Sequence, residues 1–182
     1  MTAVSAPDLS DAHTRRILEL VQKNGRITVQ AIADELCLST APCWRRLNEL
    51  EGSGVIKRYA ALVDRRSIGL NSCMFTQISL QHHTEHAVAR FERAVQAAPE
   101  ILECWVTAGS ADYLLKIYVP DPLAFDLFLN RFLLKLDGVK QLTTSVALRE
   151  VKNETFLDVS SACLQPRPAS TSLVAHKAMA KP

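Results

Sequence analysis

Residues 38–59 read L-S-T-A-P-C-W-R-R-L-N-E-L-E-G-S-G-V-I-K-R-Y. At 100° per residue, Cys43, Leu47 and Leu50 fall within about 60° of one another and form one buried stripe. Ser39 stands in the cap position. Pro42 sits in the first turn, where a missing N–H costs little. Gly52 and Gly54 stop the helix near Glu51. The opposite face carries Ala41, Arg45 and Asn48, with Trp44 on one flank and Arg46 on the other. Such a face suits base edges, because arginine pairs with guanine and asparagine with adenine. A solvated face of a small helical bundle is the plain alternative; the agreement of turn, caps and apolar spacing favours DNA. The candidate contacts are Ser39, Thr40, Ala41, Trp44, Arg45 and Asn48, with Arg46 and the basic pair Lys57 and Arg58 meeting phosphate.

Upstream, the pattern predicts two shorter helices. Asp11 caps the first, whose apolar residues are Ile17, Leu18, Leu20 and Val21, and Asn24-Gly25 ends it. Thr28 caps the second, with Val29, Ile32, Ala33 and Leu36 on one face. Cys37 and Leu38 make the tight connection to the third helix, which gives a helix-turn-helix. Downstream of Gly54, residues 55–64 read as a short basic wing and an outgoing strand.

From Ser72 the period changes. Strands are expected at Met74–Gln81, Ile101–Ala108, Tyr113–Val119 and near Gln141–Leu148, with helices at Glu85–Ala98 and Pro122–Leu136. The order β-α-β-β-α-β is the split ferredoxin-like unit. Residues 151–158 are read as a possible additional strand. The fold class is therefore α+β: an N-terminal winged helix-turn-helix domain (8–64), a linker (65–71), a ferredoxin-like sensor and oligomerisation domain (72–159), and a flexible tail (160–182). One sheet face packs on both helices, so the other calls for a cover, and a partner subunit is the expected one.

Composition limits the alternatives. The 182 residues are 48% apolar and 22% charged, with six glycines and eight prolines, which excludes collagen-like and low-complexity chains. No apolar run approaches the ~18 residues of a membrane span. The start, Met1–Ser10, lacks a secretory pattern, so a soluble cytoplasmic protein is the expectation. Five cysteines without a C-x-x-C pair argue against a disulfide framework or structural zinc. The net charge of +2 is uneven. Residues 1–66 hold ten basic and eight acidic side chains, whereas 67–159 hold eight and eleven. A basic N-terminal part is consistent with a polyanionic partner.

The chain resembles the Lrp/AsnC (feast/famine) transcriptional regulators over residues 11–158. R-R-I-L-E-L-V-Q-K-N-G-R-I-T at 15–28 is similar to the family's opening helix, and residues 38–59 to its recognition helix and wing. A-G-S-A-D-Y-L-L-K-I at 108–117 carries the sensor signature G-x-x-D-Y, and G-V-K-Q-L-T-T at 138–144 follows the later G-V pattern. P-C-W-R-R-L and Q-H-H-T at 81–84 resemble the DecR-type branch, associated with a cysteine response. The resemblance implies a homodimer assembling to a higher oligomer, an octamer by the family's habit. It also implies pseudo-palindromic double-stranded operator DNA, and an amino-acid effector such as cysteine or another small amino acid. By the same resemblance the effector lies near the loop Gly109–Asp112, with Thr107, Gly109, Ser110, Asp112, Tyr113, Thr143 and Thr144 as candidate contacts. Glycine there lets a charged group approach backbone amides. Asp112 either receives an ammonium or caps the hairpin turn. Two departures stand out. Thr14 replaces a usual aspartate, which bears on the first helix cap. Cys37 replaces a frequent glycine in the turn.

Three rival readings were weighed. His82, His83 and His86 with Cys104 have metal-ligand chemistry, but His82 and His83 alternate faces on a strand. A ligand- or metal-binding oligomer of ferredoxin-like fold is accordingly the alternative function. An enzyme finds little support: there is no nucleophile–base pair with supporting spacing, Gly-rich phosphate loop or H-E-x-x-H. No cofactor or resident metal is expected. A redox-sensing Cys43 conflicts with its place on the inward stripe.

Overall fold

The computed structural model describes residues 7–159, which form two compact units. The first comprises residues 7–61 together with 154–159; the second is Leu62–Asn153. The expected tail 160–182 lies outside the described residues.

In the first unit, α1 (Ala12–Lys23), α2 (Val29–Leu36) and α3 (Thr40–Gly52) pack around Ile17, Val21, Ile32, Ala33, Cys43 and Leu50. Asp11 caps α1 by accepting from the His13 and Thr14 N–H groups, so the departure at Thr14 leaves the cap intact. Thr14 supports it, donating its hydroxyl to the same carboxylate at 2.9 Å. Thr28 caps α2 by accepting from the Ala31 N–H. That helix ends in a Schellman turn: Leu38 N–H donates to Ala33 and Cys37 N–H to Asp34. The turn forces Cys37 to φ 53° and ψ 40°, a left-handed conformation that costs a non-glycine residue about 1–2 kcal/mol. Cys43 is fully buried, as its place on the stripe required.

Residues 154–159, expected with the sheet as part of 72–159, sit instead in the helical unit. Val159 is 7% exposed and joins its core. Leu157 donates its N–H to Gln22 Oε1 (2.8 Å) and accepts from Gln22 Nε2 (3.1 Å). Lys23 Nζ lies 5.6 Å from the Phe156 ring centroid. No strand forms at 151–158, since the side chain of a helix supplies those bonds rather than a sheet neighbour.

The second unit is a four-stranded antiparallel sheet ordered β2-β3-β1-β4, with β1 Ser72–Leu80, β2 Ile101–Val106, β3 Tyr113–Val119 and β4 Val139–Ala147. α4 (Glu85–Ala97) and α5 (Pro122–Arg131) complete the β-α-β-β-α-β order. The predicted helix over Pro122–Leu136 breaks early. Phe132 leaves helical geometry at φ −125° and ψ −66°, and a 3-10 turn at Leu133–Lys135 places Leu133 in the core.

Strand periodicity divides the sheet into two faces. Met74, Thr76 and Ile78 of β1 stand opposite Ile117, Leu115 and Tyr113 of β3, and these six are buried with Phe91, Val95 and Phe128. The other face carries Phe75, Gln77 and Ser79, flanked by Lys116, Leu114 and Tyr118. Trp105 stands opposite Leu114 on that same open side and is 59% exposed.

Candidate DNA interface and ligand loop

The connection of three residues between α2 and α3 fixes the helix-turn-helix, and α3 then turns its faces as its sequence dictates. Cys43 and Leu50 are buried, while Thr40, Ala41, Trp44 and Arg45 are exposed, Trp44 by 60%. Arg45 reaches only a distant contact with Glu49 at 3.9 Å, with both side chains solvated, so little holds it back from another partner. Asn48 is half-buried rather than open. Ser39 occupies the N-cap, but its hydroxyl makes no capping bond. The first-turn N–H groups of α3 therefore lack the side-chain acceptor expected from the sequence.

Arg46 has a different task from the phosphate contact expected of it. Its Nε donates to Asp11 Oδ2 at 2.8 Å, and Nη1 lies 3.4 Å from the Pro42 carbonyl. The bond from Arg46, aided by Thr14 and the capped N–H groups, holds the Asp11 carboxyl far below the usual carboxylate range against the opposing effect of burial. Arg46 thus ties the start of α1 to α3.

The expected wing is held from two sides. Ile56 N–H donates to Leu50, and Tyr59 donates its hydroxyl to Glu51 at 2.7 Å. Burial, together with Glu51, pushes the Tyr59 phenol up to about 12. Lys57 and Arg58 stay exposed with no ion-pair partner among the described residues. Residues 55–64 form no strand within the chain, because no neighbouring strand is there to pair with them.

In the sheet unit, the loop between β2 and β3 is closed by its own polar groups. Thr107 N–H donates to the Asp112 carbonyl at 2.8 Å, and its hydroxyl donates to the Ala111 carbonyl at 2.6 Å. Gly109 takes φ 155°, a conformation that side-chain-bearing residues rarely adopt. Ser110 contributes a carbonyl 3.5 Å from the Ser79 hydroxyl. Asp112 accepts from the Leu80 N–H at 2.7 Å and lies 2.9 Å from His83 Nε2. Of its two roles left open above, the turn-holding one is present in this conformation. The expectation for histidine clusters is answered in the same place: His83 faces a carboxylate, and no group of three potential metal ligands forms among the described residues.

The remaining candidates do not share one surface. Tyr113 is buried on the helix side, its hydroxyl donating to Glu92 at 3.1 Å and its ring 4.5 Å from Phe91. Burial first, then Glu92, raises its pKa far above that of an ordinary tyrosine. Thr144 stands opposite Thr76 on that side, with the two hydroxyls 3.0 Å apart. Thr143 stands opposite Gln77 on the open side. Adjacent strand residues cannot face one ligand together, so Thr143 and Thr144 are not a joint site within a subunit. Sequence reasoning missed His83 as the loop's partner and Gln22 as an anchor; no local pattern marks either one.

Two domains are thus joined, a DNA-binding module and a sheet module with a constrained loop, which is the construction of a ligand-responsive transcriptional regulator. Residues 10–57 match the winged helix-turn-helix DNA-binding model, and residues 73–157 match the Lrp/AsnC ligand-binding domain. The chain belongs to the Lrp/AsnC family. It is 36% identical over 149 residues to the DNA-binding transcriptional activator DecR of Escherichia coli K12, covering 82% of this chain and 98% of that protein. It is likewise 36% identical over 151 residues to the leucine-responsive regulatory protein of the same strain, covering 83% and 92%. Equal identity to both leaves the DecR-type likeness resting on its local motifs. Among solved structures, a transcriptional regulator in complex with L-Met from Neisseria meningitidis superposes with a TM-score of 0.78 at 35% identity, covering 82% of this chain and 97% of that one. An AsnC family regulator from Agrobacterium tumefaciens gives 0.77 at 33%, with the same coverage. These relatives are transcriptional regulators rather than enzymes. No helix among the described residues is long and apolar enough to cross a membrane.

Proposed function

We propose that this protein is a cytoplasmic, sequence-specific regulator of amino-acid metabolism genes, modulated by an amino acid bound where subunits meet. The observation that carries the reading is the solvent face of α3. Trp44 and Arg45 are presented outward from a helix whose other side is locked into a core, and Arg45 has no strong internal partner. Thr40, Ala41 and the open first turn of α3 extend this surface toward the backbone of a duplex, with Ser39 at its start. Lys57 and Arg58 supply sequence-independent phosphate contacts, and Asn48 contributes an amide at the margin of the base-reading face. Arg46 leaves this set, because its guanidinium is already bonded to Asp11. The charge on one module is modest, so useful affinity requires at least a homodimer on two half-sites about one helical turn apart, or a multiple of it.

The ligand-binding match over residues 73–157 supports the sensor role. The loop 107–113 supplies backbone groups at Gly109 and Ser110 as the natural meeting point for a zwitterion, with a second subunit completing the pocket and an octamer as the family-like assembly. Cysteine and methionine are the first effectors to test: one follows the DecR-type motifs, and the other stands in the relative's L-Met complex. The experiment is footprinting on the DNA upstream of the protein's own gene and of its neighbour, at fixed salt, with and without each common amino acid. Phased protection altered by one amino acid is the expected result. Absence of protection under every condition overturns the reading in favour of a ligand-binding oligomer.

A further inference from the structure

At one corner of the open sheet face, a cavity of about 400 Å³ lies between the start of β1 and the chain that follows β4. Arg65, Lys116, Arg149 and Lys152 line it against a single lining carboxylate, Glu150. Residues 62–153 carry ten basic and ten acidic side chains, so a neutral unit has concentrated positive charge in one concavity. The walls are apolar: Phe75, Tyr118, Ala147 and Val151.

The corner is also built rather than open. Arg65 is fixed by donating to the Leu70 carbonyl at 2.7 Å, with its guanidinium carbon 4.9 Å from the Tyr118 ring centroid. Lys116 is held 3.1 Å from Glu103 and 5.5 Å from the same ring. Burial opposes the Lys116 charge, but Glu103 and Tyr118 outweigh it and keep its pKa above that of an ordinary lysine. Cys73 belongs to the open side by register yet is only 6% exposed, and burial raises its pKa, so its thiol stays protonated and adds no negative charge. Arg149 and Lys152 are exposed, and neither has an ion-pair partner among the described residues.

We propose that this corner is a second ligand site, for a small organic carboxylate with an apolar or aromatic body and no ammonium group. Its volume falls at the small end of the range for ligand pockets, about 300–1,000 Å³. Two cations without partners receive the carboxylate, and Tyr118 and Phe75 take the body. An ammonium entering the same space meets four cations and one carboxylate, which disfavours an amino acid. The site is distinct from the loop at Gly109–Asp112. It lies beside Cys73 and Tyr118, whereas the loop adjoins Ile78 and Tyr113, five residues or about 16 Å further along β1.

The test is calorimetric titration of the full chain at fixed salt with phenylpyruvate, L-phenylalanine and inorganic phosphate. Phenylpyruvate is expected to saturate one site per subunit, more tightly than the other two probes, and to weaken as salt rises. The double variant Arg149→Gln/Lys152→Gln, altered only at exposed positions, is expected to bind it about tenfold more weakly. Arg93→Gln, exposed on α4, is the control expected to change nothing. Equal binding of phenylalanine, or of bare phosphate, overturns the assignment. So does binding that survives the double variant, or no saturation by phenylpyruvate into the millimolar range. The titration needs no DNA, so its failure leaves the operator reading untouched.

Discussion

Removing the Asp11 carboxylate disconnects two helices at once. Its Oδ2 receives Arg46 Nε at 2.8 Å, the Thr14 hydroxyl at 2.9 Å and the Thr14 N–H at 3.2 Å. Loss of an N-cap costs about 1 kcal/mol. Loss of a charge-assisted hydrogen bond adds about 1.5–3 kcal/mol, and the buried Thr14 hydroxyl is orphaned besides. Asp11→Ala is therefore expected to destabilise the helical unit by about 3–4 kcal/mol, a large share of the 5–15 kcal/mol typical of a domain. Arg46→Met removes one bond and costs about 2 kcal/mol. The double variant should show a coupling of about 1.5 kcal/mol in urea unfolding followed by circular dichroism. Sign and pH follow from the depressed Asp11 pKa: the contribution is complete above the ordinary carboxylate value of about 4 and fades as pH falls below it toward the folded value. The coupling should accordingly shrink on acidification. Arg46→Met should leave the salt dependence of DNA binding unchanged in slope once stability is restored by working at low temperature. Additive costs, or a slope lower by about one, would refute the structural role and return Arg46 to the phosphates.

Other expectations follow from single residues. Arg45→Ala should relax base preference and cost about 1–3 kcal/mol at the operator; an equal loss on all sequences would mean a backbone contact instead. Cys37→Gly should raise the urea midpoint by the equivalent of about 0.5–1 kcal/mol, as relief of left-handed strain exceeds the extra chain entropy, and a lower midpoint would contradict that account. Asp112→Ala orphans the Leu80 N–H and frees His83, so the loop should gain hydrogen exchange at Thr107 and Asp112. In that variant, an effector response retained with unchanged exchange would remove the loop from the proposed sensor site.

The helical stripe of α3, the capping residues and the strand order were legible because each depends on near neighbours in the chain. Cys43 and Leu50 face inward for reasons contained in a 3.6-residue period, and Asp11 and Thr28 cap for reasons contained in four residues. What escaped depends on partners far along the chain. Arg46 looked like a surface cation because Asp11 is 35 residues away, and Asp112 was ambiguous because Leu80 and His83 are on another element. Thr143 and Thr144 were paired by chemistry alone. Only the register with Gln77 and Thr76 assigns them opposite faces.

The position of Val159 has a consequence for synthesis. The first helical unit reaches Ala61, yet its core is completed by a side chain that the ribosome adds roughly a hundred residues later. At about 5–20 residues per second, the nascent module waits on the order of 5–20 s with Ile17 and Val21 incompletely covered. During that interval the sheet unit is made in full. A gene fragment ending near residue 61 would therefore yield a module permanently in its nascent state, and a fusion joined directly at Asn153 would do the same.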